Sequence, residues 1–342
     1  MSSDYQQFEK RKQDHLELAL MPSNQADELN VFDSITLVHE ALPDLDFNEI
    51  KLEGLRLGQT VEKPLMVASM TAGHDRGVQV NRHLMEAAQE KKWAMGVGSQ
   101  RRELDDPKAS QEWDALRRDC ASLSLYSNLG IAQLITTPLD KIERLTASLK
   151  ADALIIHCNA MQETIQPEGT PQFKGCWAAL EALIKVFPLP VIVKETGCGF
   201  SEKTLKRLDN LGVSAVDVSG LGGTHWGRIE GHRAQGSWAK QQASKTFRNW
   251  GINTVDVVKS AAAMNPSFEV WGSGGVRNGL DAAKLFALGA THVGFAKPLL
   301  AAALESTEAV LAVMDVIEYE LKVALFCTGS SSLYALKETI RC

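Results

Sequence analysis

FEVWGSGGVRNGLDAAKLFALGATHVGFAK, residues 268–297, decides the fold. It reads as a short strand at 268–274, a glycine turn, a helix at 279–287 and a second strand at 292–297. Short apolar runs bounded by glycine, separated by a helical period, are the pattern of parallel strands joined by a crossover helix. Gly274 and Gly275 let the backbone bring its N–H groups close to a ligand, and the following helix aims its positive end at the same place. Arg277 and Lys297 add charge there, so the turn reads as a phosphate cradle.

The same unit recurs outward from this stretch. Runs at 64–69, 93–99, 123–128, 153–159, 190–195 and 215–220 bring the strands to eight, and helices are expected at 79–91, 108–119, 138–149, 175–186, 201–210 and 254–263. Eight strand–helix units predict an α/β protein, a single (β/α)8 TIM barrel, with a doubly wound open sheet as the competing arrangement. The barrel is favoured because the units fit the span from 64 to 300 and because polar or glycine residues stand at the C-terminal end of every strand, where barrel active sites lie. Barrels also build phosphate sites after strands seven and eight. Residues 64–342 are read as the barrel with a closing amphipathic C-terminal helix, and 1–63 as an N-terminal extension. Within the extension, SITLVHEAL and EIKLEGLRL are strand-like pieces that could cap the bottom of the barrel.

Composition narrows the function. Lys+Arg 36 against Asp+Glu 42 gives a net charge of −6, which argues against a nucleic-acid binder and requires local basic clusters for any anionic ligand. One such cluster is the long connection 221–253, where Arg228, Arg233, Lys240, Lys245 and Arg248 face Glu230 alone. No apolar run approaches the ~18 residues that span a bilayer, and MSSDYQQFEKRKQDH has no apolar signal core, so a cytoplasmic protein is expected. Six cysteines without a CxxC pair fit a reduced compartment. Cys158, alternating along an apolar strand, reads as core.

Three constellations carry chemistry. SMTAG at 69–73, Gly98-Ser99-Gln100, Ser127-Asn128 and Lys194 end successive strands with groups that can hydrogen-bond the edge of a flat heteroaromatic ring. With the phosphate cradle they suggest flavin mononucleotide, and no GxGxxG dinucleotide fingerprint accompanies them. IHCNAMQETIQPEG at 156–169 sets His157 and Asn159 on one side of a strand, followed by Gln162 and Glu163. A single carboxylate suits Mg²⁺, which fills its shell with phosphate oxygens and water. The charged run from Glu9 to His15, on charge alone, reads as a solvated face.

RKQDH, SMTAG, GVGSQR, SNLG, IHCNAMQETIQPEG, VIVKETGCG, DVSGLGGTHW with Glu230, and GSGGVR run in order from residue 11 to the end of the barrel. Together they resemble the type 2 isopentenyl-diphosphate isomerases. The resemblance implies an FMN-dependent, Mg²⁺-requiring isomerase of isopentenyl and dimethylallyl diphosphates, with NADPH as the flavin's reductant. By position, it implies FMN contacts at Ser69, Met70, Thr71, Ser99, Asn128, Lys194, Thr224, Gly275, Val276, Arg277, Ala296 and Lys297. It puts Arg11, Lys12, His15, Arg101, Asn159, Gln162, Trp226 and Glu230 at the substrate, Glu163 on the metal, and Gln162 with His157 in the catalytic role. The charged terminal run then becomes a diphosphate clamp. A homo-oligomer is also implied, with a small diphosphate as ligand and neither nucleic acid nor membrane as partner.

Asp14, Ala72 and Lys297 depart from the family's usual Glu, Gly and Arg. The last reduces a bidentate phosphate contact to a point charge. Two rival functions stay open at this level: an FMN-dependent oxidoreductase of 2-hydroxy acids, for which His225 and Arg277 could serve, and a phosphate-binding barrel without catalysis.

Overall fold

The computed structural model describes residues 3–70 and 75–341. Eight parallel strands close into a barrel: β1 Leu65–Val67, β2 Ala94–Gly96, β3 Leu125–Gly130, β4 Ala153–Cys158, β5 Val191–Glu195, β6 Ala215–Asp217, β7 Glu269–Gly272 and β8 His292–Phe295. Each pairs with its neighbour in sequence, and β8 pairs with β1 to complete the ring. All eight expected strands are present, and the open sheet is excluded by the closure.

The alternation of side chains explains why these runs must be buried on both faces. Met66, Ala94, Tyr126, Ala153, Ile155, Ile192, Ala215 and Trp271 fill the barrel interior, while the outward residues pack under the surrounding helices. Above this apolar layer the strands turn polar. The ladder pairs Gly130 with His157, His157 with Lys194, and Lys194 with Asp217, so these residues stand at one level on β3 to β6.

The extension closes both ends. A hairpin, Gly54–Arg56 with Gln59–Val61, turns through Leu57 and Gly58, both at positive φ as a two-residue hairpin turn requires. Leu57 packs against the interior cluster and Gly58 N–H donates to Glu269 at 2.7 Å, so the 49–57 piece does cap the barrel bottom. Of the 34–42 piece only Thr36–Leu37 is strand, paired antiparallel with Ile340–Arg341. The closing helix is Thr307–Cys327, capped by Ser306 and buried through Val310, Met314, Ile317, Leu321 and Leu325.

Two elements differ from the sequence reading. The charged terminal run is not a solvated face: it belongs to an 18-residue helix, Ser3–Leu20, which lies over the barrel mouth and buries Lys12, His15, Leu16 and Ala19 on one side. The long connection 221–253, read as a basic cluster for an anionic ligand, contains two packed helices, Trp226–Arg233 and Trp238–Thr246. Its cations are largely taken up by protein acceptors. Arg228 reaches the carbonyls of Gln25 and Arg248 and the side chains of Glu28 and Asn249, and Lys240 donates to the Gln166 carbonyl.

Candidate active site

Two adjoining cavities open at the C-terminal end of the strands. The larger, about 500 Å³, is lined by Ser69, Met70, Lys194, Thr224, Gly275, Val276, Arg277, Ala296 and Lys297 among others, and is roofed by Leu16, Ala19 and Leu20 of the N-terminal helix. The smaller, about 100 Å³, is lined by Arg11, Lys12, His15, Ser99, Arg101, Asn128, His157, Asn159, Gln162, Glu163 and Trp226. Ser69, Met70, Lys194 and Thr196 border both. Expected flavin contacts thus divide, with Ser99 and Asn128 at the smaller cavity. Glu230 lines neither and sits fully buried behind Gln162. Thr71 lies outside the described residues.

The larger cavity owes its shape to glycines. Gly274 and Gly275 take φ of 95° and 76°, and a Cβ on Gly275 would fall 2.4 Å from the backbone of Gly222. The turns after β6 and β7 therefore meet backbone to backbone and leave a cleft beside them. The Ser69 hydroxyl is buried there without a hydrogen-bond partner among the described residues. A cleft of this size, with an unpaired hydroxyl, glycine amides and a cation at each end, fits a flavin mononucleotide. Arg277 is also held by Asp281 and Asp33, and Lys297 by Asp27 at 3.2 Å.

The smaller cavity is organised by hydrogen bonds. Asn128 Nδ2 donates to the Val97 carbonyl at 2.9 Å, which leaves its Oδ1 to accept from His157 Nδ1 at 2.8 Å. The His157 proton therefore sits on Nδ1, and Nε2 carries a free lone pair. Burial, then the charges of Lys12 and Lys194, lower this imidazole to about 4, so it is neutral at pH 7. Lys12 is pushed down to about 7 by burial and by neighbouring Arg11.

Glu230 is the hub behind this cavity. Its carboxylate accepts from His15 Nε2 at 2.8 Å, Gln162 Nε2 at 2.8 Å and Arg233 Nη1 at 2.6 Å. Burial pushes its proton affinity up, but His15 and Arg233 outweigh that and hold it below the usual carboxylate range. The His15 ring is lowered by burial and meets Trp226 edge-on at 5.0 Å. Arg233 extends the network to Glu168 and Asp14.

Glu163 is buried on the short helix Ala160–Ile165. It accepts from Asn159 Nδ2 at 2.9 Å and from the Thr170 amide at 2.5 Å and hydroxyl at 3.1 Å. Among the described residues no group of three or more His, Cys, Asp or Glu could hold a metal unaided.

Sequence reasoning assigned no role to Asp217, Ser273, Glu195 or Glu168, and named Arg233 only among the basic residues of the 221–253 connection. The Asp217 carboxylate lies 2.8 Å from Lys194 Nζ, and Glu195 accepts from the amides of Thr196, Cys198 and Gly199, fixing the loop that follows β5. Asp217 and Glu195 lie inside the DVSGLGGTHW and VIVKETGCG runs that carry the family resemblance, without a role of their own there.

Comparison with known proteins decides among the functions left open. The model of the FMN-dependent dehydrogenase family matches residues 115–341. An isopentenyl-diphosphate delta-isomerase of Legionella pneumophila (strain Lens) is 65% identical over 338 residues, covering 99% of each chain. That of Bdellovibrio bacteriovorus is 50% identical over 341 residues, covering 98% of each. This chain belongs to the isopentenyl-diphosphate delta-isomerases of the FMN-dependent dehydrogenase family. Solved structures give the same fold at low identity: flavocytochrome b2 superimposes with a TM-score of 0.69 at 18% identity, covering 99% of this chain and 85% of its own. An (S)-mandelate dehydrogenase chimera gives 0.68 at 17% identity, covering 99% and 98%.

The isomerase family and the geometry agree against the hydroxy-acid reading. His225 is buried, caps the helix Trp226–Arg233 by accepting from the Arg228 amide at 3.2 Å, and lines neither cavity. It cannot serve as a base there. Among the described residues no helix is long and apolar enough to cross a membrane.

Proposed function

We propose that this enzyme interconverts isopentenyl and dimethylallyl diphosphates, with FMN in the larger cavity and the substrate in the smaller one. The observation that carries the reading is the shared wall of the two cavities. Ser69, Met70, Lys194 and Thr196 border a cleft sized for a flavin and, beside it, a basic chamber built by Arg11, Lys12, His15 and Arg101. Such a chamber neutralises a diphosphate and leaves its hydrocarbon tail toward Met70 and Trp226. The family relationship supplies the reaction class.

Reduced FMN supplies an electron-rich ring against which positive charge on the substrate is stabilised. The chain's own residues do the rest. Gln162 is locked by donating to Glu230 and accepting from Asn159 at 3.2 Å, so its amide is a rigid wall for the reacting carbons. His157 offers the Nε2 lone pair and stays neutral, able to hold a proton without adding resting charge beside a carbocation-like species. Glu163 would hold Mg²⁺, whose remaining positions the diphosphate fills. The helix Ser3–Leu20 excludes water from above. We place the enzyme in the cytoplasm as a homo-oligomer, with NADPH from solution reducing the flavin.

Incubating the FMN-loaded chain anaerobically with NADPH, Mg²⁺ and isopentenyl diphosphate in D₂O should give deuterated dimethylallyl product by NMR. Absence of product sinks the assignment. Glu163→Gln should lose at least tenfold of the Mg²⁺-dependent rate. Full wild-type turnover in chelator would remove the metal role.

A further inference from the structure

Lys194 and Asp217 are ladder partners on β5 and β6, at one level and facing the barrel interior. Nζ of Lys194 lies 2.8 Å from Asp217 Oδ2 and donates to Ser273 Oγ at 3.0 Å, while Ser273 in turn donates to Asp217 Oδ1 at 2.5 Å. All three residues are buried, with Asp217 only 1% exposed. Lys194 and Ser273 border the larger cavity, whereas Asp217 does not reach it. Any effect of Asp217 on a ligand there must pass through the other two.

Ser273 Oγ takes one of the ammonium's three N–H bonds while Asp217 Oδ2 holds its charge from 2.8 Å, and together they keep the group at the cavity wall. We infer that Asp217, with Ser273, is the positioning residue that holds Lys194 as a charged donor to the bound flavin. This rests on FMN occupying the larger cavity. The charged groups around Lys194 are few: Asp217 from β6, the neutral His157 from β4, and Glu195, its neighbour along the strand. Asp217 is the sole carboxylate among the described residues in contact with the ammonium. A buried amine deprived of its counter-charge sheds its proton.

The consequence is a proton count. Above the N1 pKa of free reduced flavin, two-electron reduction to the anionic form takes up one proton. With Asp217 in place Lys194 stays charged in both redox states, and the count stays at one. With Asp217→Asn, Lys194 is neutral beside oxidised flavin and is recharged when the flavin becomes anionic, so reduction takes up two protons. Glu195, raised to about 7 by burial, and Lys12, lowered to about 7, titrate below the range measured, so the difference in slope between the two proteins reports Lys194.

The test measures the midpoint potential of bound FMN against pH, from about 7.5 to about 9.5, below the ordinary lysine range. Wild type should show the slope of one proton per two electrons, and Asp217→Asn should show twice that slope. Ser273→Ala keeps the ion pair and should keep the wild-type slope, with about tenfold weaker FMN binding from the freed ammonium. A wild-type slope in FMN-loaded Asp217→Asn overturns the inference, because a merely structural role would lower stability without moving the proton count. Should Asp217→Asn fail to fold, a two-proton slope in wild type overturns it equally, and a one-proton slope together with the Ser273→Ala result sustains it. If the wild-type chain takes up no FMN, the flavin reading itself has failed, which is a distinct outcome.

Discussion

Lys12, which we assign to the diphosphate, would couple substrate binding to pH. Burial and Arg11 bring its proton affinity down to about 7, so between that pH and the ordinary lysine value the unfolded chain holds a proton that the folded chain has released. Stability therefore rises with pH across this window, and the cost of the buried ammonium is present in full below it. A diphosphate reverses the sign locally, because two negative oxygens restore the proton. Substrate binding should then take up a proton at about pH 8, and KM should climb above about pH 7 by up to tenfold per pH unit. Calorimetry in two buffers of different ionisation enthalpy measures the uptake, and Lys12→Gln should abolish it and flatten the KM profile. A flat wild-type KM from pH 7 to pH 9 would refute the assignment of Lys12 to the diphosphate. The residues legible in the sequence were those that end strands in a recognisable run, such as His157, Asn159, Gln162 and Lys194. Glu230 was legible only through the family resemblance. Arg233 was not legible in its role: its partner Asp14 lies 219 positions away, and no local pattern encodes that distance.

At the scale of elements, what the sequence concealed were the helices that close the site. Ser3–Leu20 is mostly polar, and Trp226–Arg233 contains Gly227 and Gly231, which weaken helical propensity. Both are helical because they dock. Gly231 marks the docking point: a Cβ there would lie 1.8 Å from Ser244 Oγ and 2.3 Å from its Cβ, so the helices Trp226–Arg233 and Trp238–Thr246 touch where one has no side chain. Gly231→Val should push them apart, costing about 1–3 kcal/mol in urea unfolding by overpacking. Because Glu230 and Arg233 flank that position, kcat/KM should fall at least tenfold. Gly231→Ala with Ser244→Gly, which trades the volume across the contact, should recover most of both. Loss of activity in Gly231→Val without loss of stability would mean the two helices are not coupled through this contact.

The whole molecule separates a locally encoded barrel from globally encoded lids. Each barrel strand is a short apolar run answered by its own helix, so the eightfold pattern is written in sequence period alone. The roof over the two cavities is written in contacts between the first 30 residues and the 221–253 segment, as where Arg228 bonds the Gln25 carbonyl and Glu28. That division predicts separable ligand responses. The cleft we assign to the flavin is built by the barrel turns, whereas Arg11, Lys12 and His15 come from the N-terminal helix. FMN at about 100 times its Kd should stabilise the full chain by about 2.7 kcal/mol, raising Tm by about 4 °C at this length. Inorganic diphosphate with Mg²⁺ should add a further rise. Deletion of residues 1–20 removes Leu16, Ala19 and Leu20 from the roof, so FMN should exchange faster yet still raise Tm, while diphosphate should no longer do so. A truncated chain that responds to diphosphate as the full chain does would place the diphosphate on the barrel alone, and the N-terminal helix would then be a cover rather than a clamp.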